Sequence, residues 1–279
     1  MKKRYTPANY SDEVENKVQE LRKKKALLPS KKLLRTPEQL EGIRASAKIN
    51  TALLDYITPF VKPGVSTAEL DRLVYNFTTS KGAIPAPLNY QGFPKSVCIS
   101  VNEVVCHGIP SEEEVLKEGD IVNIDVSTIY KGYFSDASRM FYVGEVHPTL
   151  QRLVEVTKEC LNLGIEAAQP WARLGDIGAV IQEHAEKNGY SVVRELCGHG
   201  VGIKFHEEPD VEHVGKAGTG MVLVPGMTFT IEPMINLGER YIYVDADDEW
   251  TVLTEDSLPS AQWEHMLLIT EDGNEILTY

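Results

Sequence analysis

Two aspartates in one short segment constrain the fold of this 279-residue chain more than any other feature. The segment NIDVSTIYKGYFSDA, residues 123–137, alternates apolar and polar residues, is interrupted by YKG and then alternates again, which predicts a β-hairpin. With the turn centred between Tyr130 and Lys131, Asp125 lies directly opposite Asp136, with Cβ atoms about 4.5–5.5 Å apart. Because like charges at that distance destabilise a sheet, the hairpin predicts that another group compensates them.

Three explanations of the facing aspartates are open: both are solvated, one is protonated, or a cation lies between them. The flanking stretches DIVNIDVSTI and SDASRMFYV are too apolar for a fully hydrated hairpin. A buried pair of carboxylates needs compensation. A metal ion supplies it, and a metal ion would have further ligands elsewhere in the chain.

Three other segments offer such ligands. ELCGHGVGIKFHEEP places His199 between two glycines and His206 after an apolar run. MTFTIEPMI places Glu232 near the end of an apolar strand, and SAQWEHMLLIT places Glu264 in another. Either histidine alone is better explained as an ordinary residue of a glycine-rich loop, and one strand Glu can face solvent. Two apolar strands that each carry a Glu are harder to explain in that way, because Glu is rarely buried without a partner.

Together these segments contribute four carboxylates and one imidazole. Such a set is too rich in oxygen for structural zinc and too anionic for a single divalent ion, whereas it suits two divalent cations that share bridging carboxylates. Two such ions can hold a bridging water as hydroxide at neutral pH, which indicates metal-assisted hydrolysis. His107 and His206 remain as groups able to hydrogen-bond the scissile amide or its oxyanion. The predicted metal ligands are Asp125, Asp136, His199, Glu232 and Glu264.

A weak internal repeat bears on the architecture. KPGVSTAELDRLVYNFTTSKGA (62–83) and QPWARLGDIGAVIQEHAEKNGY (169–190) match at a constant offset, and each follows an amphipathic helical stretch, 38–60 and 148–168. Helices alternating with strands in both parts predict an α/β or α+β fold. The repeat predicts two related halves with a ligand site in the cleft between their sheets, although two amphipathic helices can also resemble each other by chance.

Residues 1–36 differ from the rest of the chain and are predicted to be an appended arm, with residues 37–279 as the domain. The arm carries eleven Lys and Arg against four acids, while the whole chain has a formal net charge of −13, which argues against a general nucleic-acid binder. Residues 11–28 place Val14, Val18, Leu21 and Leu28 at helical spacing. The arm either contacts ribosomal RNA, remains solvated, or packs these apolar residues onto the domain.

Cysteine spacing and hydropathy predict the compartment. The four cysteines show no C-x-x-C spacing, and neither a signal-type apolar segment at the start nor an 18-residue apolar run is present. Free thiols fit a reducing compartment. We therefore expect a cytoplasmic protein without a membrane segment.

Five motifs, in order and with matching spacing, closely resemble those of the type I methionine aminopeptidases. They are YQGFPKSVCISVNEVVCHGIP (90–110), DIVNIDVSTIYKGYFSDASRMF (120–141), CGHGVGIKFHEEP (197–209), FTIEPM (229–234) and SAQWEHMLLIT (260–270). The resemblance covers essentially all of residues 37–279. It implies the pita-bread fold, an α+β fold in which two pseudo-symmetric αβ halves form a central antiparallel sheet with helices on its outer face.

The resemblance also implies roles for individual residues. The five ligands named above would hold two divalent ions, whether Co, Mn, Fe or Zn, and Glu232 would double as a proton shuttle. His107 would lie near the substrate amide nitrogen and His206 near the scissile carbonyl oxygen. The methionine pocket would be lined by Tyr90, Phe93, Cys98, His107, Phe205 and Trp250, an apolar and polarisable environment that suits a thioether. Many bacterial members carry Tyr and Cys where this chain has Phe93 and Pro87, so the pocket rim is expected to differ.

The implied reaction is removal of the initiator methionine from nascent polypeptides when the next residue is small. The short sequence between His206 and Glu232 leaves no room for the helical insertion of type II enzymes. The arm contains no Cys or His and so lacks the zinc-binding region of eukaryotic type I enzymes. The resemblance further implies a monomer. The alternatives are a prolidase or aminopeptidase P with the same ligands, or a non-catalytic binding module of this fold.

Overall fold

The computed structural model describes residues 11–279, so residues 1–10 of the predicted arm lie outside the described residues. Each predicted helical stretch contains a helix, and the one that begins at Pro37 has a capping box. The hydroxyl of Thr36 accepts from the backbone of Gln39, whose side chain in turn accepts from the backbone of Thr36, and Pro37 occupies the first helical position. No helix in this part of the chain is long and apolar enough to cross a membrane. The helices are α1 Asp12–Lys23, α2 Pro37–Ile57, α3 Thr67–Ser80, α4 Pro148–Ala167 and α5 Leu174–Lys187.

The described part of the arm packs onto the rest of the chain. Helix α1 buries Val14, and Val18, Leu21 and Leu28 pack against the largest hydrophobic cluster. The backbone and hydroxyl of Ser11 both donate to the Glu271 carboxylate. The apolar stripe of the described part of the arm is thus covered, while Lys23, Lys24, Lys25, Lys31 and Lys32 remain exposed. The division into arm and domain at residue 36 stays a prediction.

The strands form one large curved antiparallel sheet and two small ones. The nine-stranded sheet has the order β1-β4-β5-β14-β9-β7-β8, with β2 pairing with β4 and β15 with β14. The three-stranded sheets have the orders β13-β10-β6 and β11-β12-β3. The strands are β1 Ile84–Pro85, β2 Cys98–Val101, β3 Val104–Cys106, β4 Ile121–Tyr130, β5 Tyr133–Tyr142, β6 Ser191–Val192, β7 Gly198–Gly200, β8 Glu207–Val211, β9 Thr228–Ile231, β10 Met234–Asn236, β11 Ile242–Val244, β12 Val252–Thr254, β13 Ser260–Gln262, β14 Glu264–Ile269 and β15 Asn274–Ile276.

The two halves implied by the repeat are visible in the packing. Helices α3 and α5, which occupy the repeated segments, each have 14 residues. Residues of α2 and α3 share a hydrophobic cluster with β4, and residues of α4 and α5 share another with β9 and β14. Each helix pair therefore covers its own part of the central sheet, and the predicted α+β pita-bread architecture is confirmed.

The register of the β4–β5 hairpin differs from the prediction. Tyr130 pairs with Tyr133, so that Asp125 lies opposite Ser138 and Asp136 lies opposite Ser127. The two turn residues, Lys131 and Gly132, have φ angles of +51° and +83°, as a tight two-residue hairpin turn requires. The predicted turn centre is therefore wrong by one residue, and the predicted partner of Asp125 is wrong by two. Because side chains alternate with a period of two, both aspartates still lie on one face, as diagonal neighbours.

Candidate active site

The carboxylates and the imidazole predicted as ligands converge from four strands and from the residue that follows a fifth. Single ligand atoms of Asp136, His199 and Glu264 lie within 4.8 Å of one another. Nε2 of His199 is 3.7 Å from Oδ2 of Asp136 and 3.6 Å from Oε1 of Glu232. Asp125 lies on the same face of the hairpin and lines the same cavity. The convergence arises because β4, β5, β14, β9 and β7 are successive neighbours in the central sheet.

The cavity at this point has a volume of about 570 Å³. Its walls combine the acidic cluster with aromatic side chains and histidines. All twelve residues predicted as site residues line it: Tyr90, Phe93, Cys98, His107, Asp125, Asp136, His199, Phe205, His206, Glu232, Trp250 and Glu264.

The four carboxylates are strongly perturbed. Burial raises the pKa of Asp125 to about 7 and that of Glu232 to about 8. Burial, together with repulsion from the neighbouring carboxylates, raises the pKa values of Asp136 and Glu264 well above the usual range. Among residues 11–279, no Lys or Arg forms an ion pair with any of the four. The protein thus concentrates four carboxyl groups here without a Lys or Arg from the described residues to compensate their charge when they ionise.

A divalent-metal centre fits this arrangement. Oδ1 of Asp125 is buried without a hydrogen-bond partner in the protein, and a buried unpaired carboxylate oxygen is costly. Nδ1 of His199 lies 3.0 Å from the carbonyl oxygen of Gly200, which orients Nε2 towards the carboxylates. Carboxylate oxygens with one imidazole nitrogen are ligands that Mn²⁺, Fe²⁺, Co²⁺ and Zn²⁺ accept. The donor set therefore suits such ions.

Several supporting residues were not predicted from the sequence. Ser127 donates to Asp136 at 2.7 Å, Thr230 to Glu232 at 2.6 Å, and Gln262 to Glu232 at 3.1 Å. Ser127 and Thr230 lie two residues from a predicted ligand in or next to the same strand, so the alternation of the strand could have identified them.

His213 also escaped prediction. It is buried, and its Nε2 accepts a 3.1 Å hydrogen bond from the backbone N–H of Glu232. Its segment, VEHVGKAG, has neither strand nor helix periodicity, so no local pattern connects it with Glu232. Only the fold brings the two residues together.

Two histidines face the acidic cluster across the cavity. His107 has a left-handed backbone, with φ of +58°, and burial lowers its pKa. Desolvation, with His199 nearby, also lowers the pKa of His206, whose Nδ1 shares a 3.0 Å hydrogen bond with the hydroxyl of Tyr90. The His206 ring centroid lies 4.2 Å from that of His199. Both histidines are therefore neutral near pH 7 and are available as hydrogen-bonding groups.

Part of the cavity wall is aromatic. The rings of Phe93 and Trp250 meet edge to face at 5.2 Å, and those of Tyr90 and Phe205 at 4.8 Å. Trp250 also contacts the ring of His107 at 6.1 Å. With the buried thiol of Cys98, these rings form an apolar compartment directly beside the carboxylates. The arrangement suits a ligand with an apolar side chain and a polar group to be acted on.

Comparisons with known proteins agree with this chemistry. The model of metallopeptidase family M24 matches residues 41–271. Methionine aminopeptidase A of Synechocystis is 53% identical over 240 residues, which are 86% of this chain and 94% of the relative. The crystal structure of methionine aminopeptidase from Rickettsia prowazekii superposes with a TM-score of 0.87 at 51% identity, over 88% of this chain and 99% of that one. The prolidase of Pyrococcus horikoshii, at 21% identity and a TM-score of 0.69 over 88% and 63% of the two chains, shares the fold.

Proposed function

The chain belongs to metallopeptidase family M24, and from this membership we propose a role for each residue of the site in the reaction. Its activity is the metal-dependent removal of an N-terminal methionine, the activity of relatives that are about half identical over most of the chain. The observation that carries the proposal is the cavity, in which four carboxylates lie with His199 beside an aromatic compartment, and no Lys or Arg of residues 11–279 forms an ion pair with them. The acidic part suits hydrolysis and the aromatic part suits a thioether side chain.

The proposed metal ligands serve two divalent cations. Four carboxylates carry enough negative charge for two such ions, and one imidazole beside oxygen ligands suits Co, Mn, Fe or Zn. When bound, divalent cations lower the pKa of water and polarise a peptide carbonyl. The ligands we propose are Asp125, Asp136, His199, Glu232 and Glu264.

We assign proton transfer to Glu232. Its carboxyl group lines the cavity, with Oε1 3.6 Å from Nε2 of His199, where it can accept a proton from water and pass it to the leaving amine. Thr230 and Gln262 each bind one of its oxygens, which fixes the direction in which the carboxyl group points. General acid–base catalysis first requires a carboxyl group held within reach of the reacting atoms, and these two hydrogen bonds supply that.

We assign substrate contacts to the two neutral histidines. His206 would donate to the scissile carbonyl oxygen and stabilise the charge that develops there, and His107 would contact the amide nitrogen. The methionine side chain would occupy the compartment of Tyr90, Phe93, Cys98, Phe205 and Trp250, with His107 at its edge. The substrates we propose are nascent polypeptides whose second residue is small, processed by a monomer in the cytoplasm.

The test uses protein stripped with a chelator and reloaded with Mn²⁺, Co²⁺, Fe²⁺ or Zn²⁺. We expect metal-dependent release of methionine from Met-Ala-Ser and no cleavage of Ala-Pro or Leu-Gly peptides. Asp125→Asn should abolish turnover, because it removes a carboxylate from the proposed ligands. Cleavage of Ala-Pro in place of Met-Ala-Ser would move the specificity to that of a prolidase.

A contact between the basic arm and ribosomal RNA is a second proposal. Lys23, Lys24, Lys25, Lys31 and Lys32 are all exposed, and clustered cations bind phosphate backbones in a salt-dependent way. The charge is best tested by changing Lys23, Lys24 and Lys25 together to Glu, because deletion of residues 1–36 would also remove buried side chains. We expect weaker ribosome co-sedimentation at low salt with unchanged peptide hydrolysis. Equal co-sedimentation of the variant and the parent would refute the contact.

A further inference from the structure

Arg35 is a fully buried arginine at the junction between the arm and helix α2. Its side chain is 1% exposed. Nε donates to the hydroxyl of Thr228 at 2.9 Å, and Nη1 and Nη2 donate to the carbonyl oxygens of Lys32 and Val201. The same two nitrogens donate to the two carboxylate oxygens of Glu207, at 3.4 and 2.6 Å. All five guanidinium donors are thus used, in a geometry that only arginine provides.

Glu207 also closes a turn, through the same oxygen that accepts from Nη2 of Arg35. Oε1 accepts hydrogen bonds from the backbone N–H groups of Ile203 and Lys204, at 3.1 and 3.4 Å. Within the turn, the N–H of Gly202 donates to the carbonyl of Lys204. Residues 202–206 therefore fold around the Glu207 carboxylate, which also forms the ion pair with Arg35.

This turn carries a proposed substrate-binding residue. His206 immediately precedes Glu207 and is exposed to the cavity, where Nδ1 meets the hydroxyl of Tyr90. Arg35 also contacts Val201 and Thr228, which follow β7 and begin β9. One guanidinium thus connects three segments whose neighbouring residues line the cavity.

We propose that Arg35 is a positioning residue for catalysis: through Glu207 it fixes the 202–206 turn so that the His206 imidazole reaches the scissile carbonyl. The inference rests on the role proposed above for His206. Stability alone gives little reason for the ion pair, because buried pairs are often replaced by apolar residues of similar volume without loss of stability. What the pair adds is a fixed geometry, which a bidentate arginine–carboxylate contact specifies closely.

The test is a double-mutant cycle between Arg35→Lys and His206→Ala, measured on metal-saturated full-length protein with Met-Ala-Ser. Arg35→Lys retains the charge but loses the contact of two guanidinium nitrogens with the Glu207 carboxylate. We therefore expect kcat to fall on the order of 10–100-fold, as for a misplaced catalytic group, with a smaller change in KM. In the His206→Ala background, Arg35→Lys should change kcat by less than about two-fold, because the residue through which it acts is gone. Arg44→Lys is the matched control, since Arg44 makes a similar two-nitrogen contact with Glu275 at the surface.

The outcomes separate this inference from the role of His206. Independent, multiplying losses in kcat would overturn the positioning role of Arg35 while leaving His206 in place. An unchanged kcat in His206→Ala would refute the proposed role of His206, and the positioning role of Arg35 would be refuted with it. If Arg35→Lys does not fold, as judged by circular dichroism, Glu207→Gln replaces it in the same cycle, because the amide oxygen keeps the shape of the side chain. The same expectations then apply to Glu207→Gln.

Discussion

The hydroxyl of Ser127 donates a 2.7 Å hydrogen bond to Oδ1 of Asp136, the residue directly opposite it in the β4–β5 ladder. This bond anchors one oxygen of the carboxylate, while Oδ2 lies 3.7 Å from Nε2 of His199. Asp125, two residues before Ser127 on the same face, has its Oδ1 buried without a protein partner. One carboxylate of the hairpin is therefore oriented by the protein, and the other has an oxygen that the proposed cations would satisfy.

Ser127→Ala should weaken metal binding. Removal of the donor leaves the Asp136 carboxylate less firmly oriented, and loss of such outer partners typically costs about 10–100-fold in metal affinity or activity. Isothermal titration of the chelator-stripped protein with Mn²⁺ measures the change. Ser46→Ala is the control, because the Ser46 hydroxyl is also buried but bonds Ser135 and the carbonyl of Thr128. Equal Mn²⁺ affinity of the Ser127 variant and its parent would show that Asp136 needs no such anchor.

The hairpin shows which part of this site a sequence can predict. Asp125 and Asp136 could be assigned to one face because strand side chains alternate with a period of two, and that assignment survives a two-residue error in register. The register itself depends on which two residues adopt positive φ. Lys131 does so beside Gly132, and a lysine carries no sequence signal for that conformation.

The contacts that the sequence could not predict are long-range ones. Arg35 reads as one more cation in a basic arm, yet its Nε bonds a hydroxyl 193 residues away. His213 meets the backbone of Glu232 only because a loop without periodicity packs behind β9. Periodicity reports on neighbours within one element, whereas these partners are set by how the elements are assembled.

The metal-free protein should lose stability as the pH rises from about 6.5 to 8.5. Burial raises the pKa of Asp125 to about 7 and that of Glu232 to about 8, whereas unfolded carboxyl groups titrate near about 4. The folded state therefore retains protons that the unfolded state has lost, and each retained proton lowers the unfolding free energy by about 1.4 kcal/mol per pH unit. The decline is expected only above about pH 6.5. Below that pH, the buried histidines, whose pKa values burial lowers, make the unfolding free energy rise with pH and so oppose it.

Urea unfolding of chelator-treated protein across this pH range measures the effect. Asp125→Asn should reduce the slope, since an amide does not titrate. Protein loaded with Mn²⁺ should not show the decline, because metal ligands bind in their deprotonated form. A metal-free protein whose unfolding free energy rises from pH 6.5 to 8.5 would contradict the prediction.

His213 should contribute to acid instability. Burial lowers its pKa to about 3, so below about pH 6.5 the unfolded state binds a proton that the folded state does not. The unfolding free energy therefore falls as the pH drops from about 6.5 towards 3. His213→Gln keeps an acceptor for the N–H of Glu232 and removes this proton, so its stability should decline less steeply than that of the parent.

The effect of His213 is measured as the change of the unfolding free energy with pH, and not as the unfolding free energy at one pH. Metal-free parent and variant are unfolded with urea at pH 8, 6.5, 5.5 and 4.5. The difference at pH 8 reports the packing lost with the ring, because both states are then neutral at this position. Parallel pH profiles from pH 6.5 to 4.5 would mean that His213 binds its proton in the folded state as well.

Trp250→Ala should reduce the preference for methionine. The Trp250 ring closes the aromatic compartment against Phe93 and His107, at centroid distances of 5.2 and 6.1 Å, and its loss enlarges the space available to the substrate side chain. Discrimination between apolar side chains in such a pocket is worth only about 1–3 kcal/mol, so kcat/KM for Met-Ala-Ser relative to Leu-Ala-Ser should fall about tenfold or more. Tyr243→Ala is the control, because Tyr243 is 48% exposed on the neighbouring strand β11 and does not line the cavity. If Trp250→Ala lowers kcat/KM for both peptides by the same factor, the ring supports the catalytic geometry and does not select the side chain.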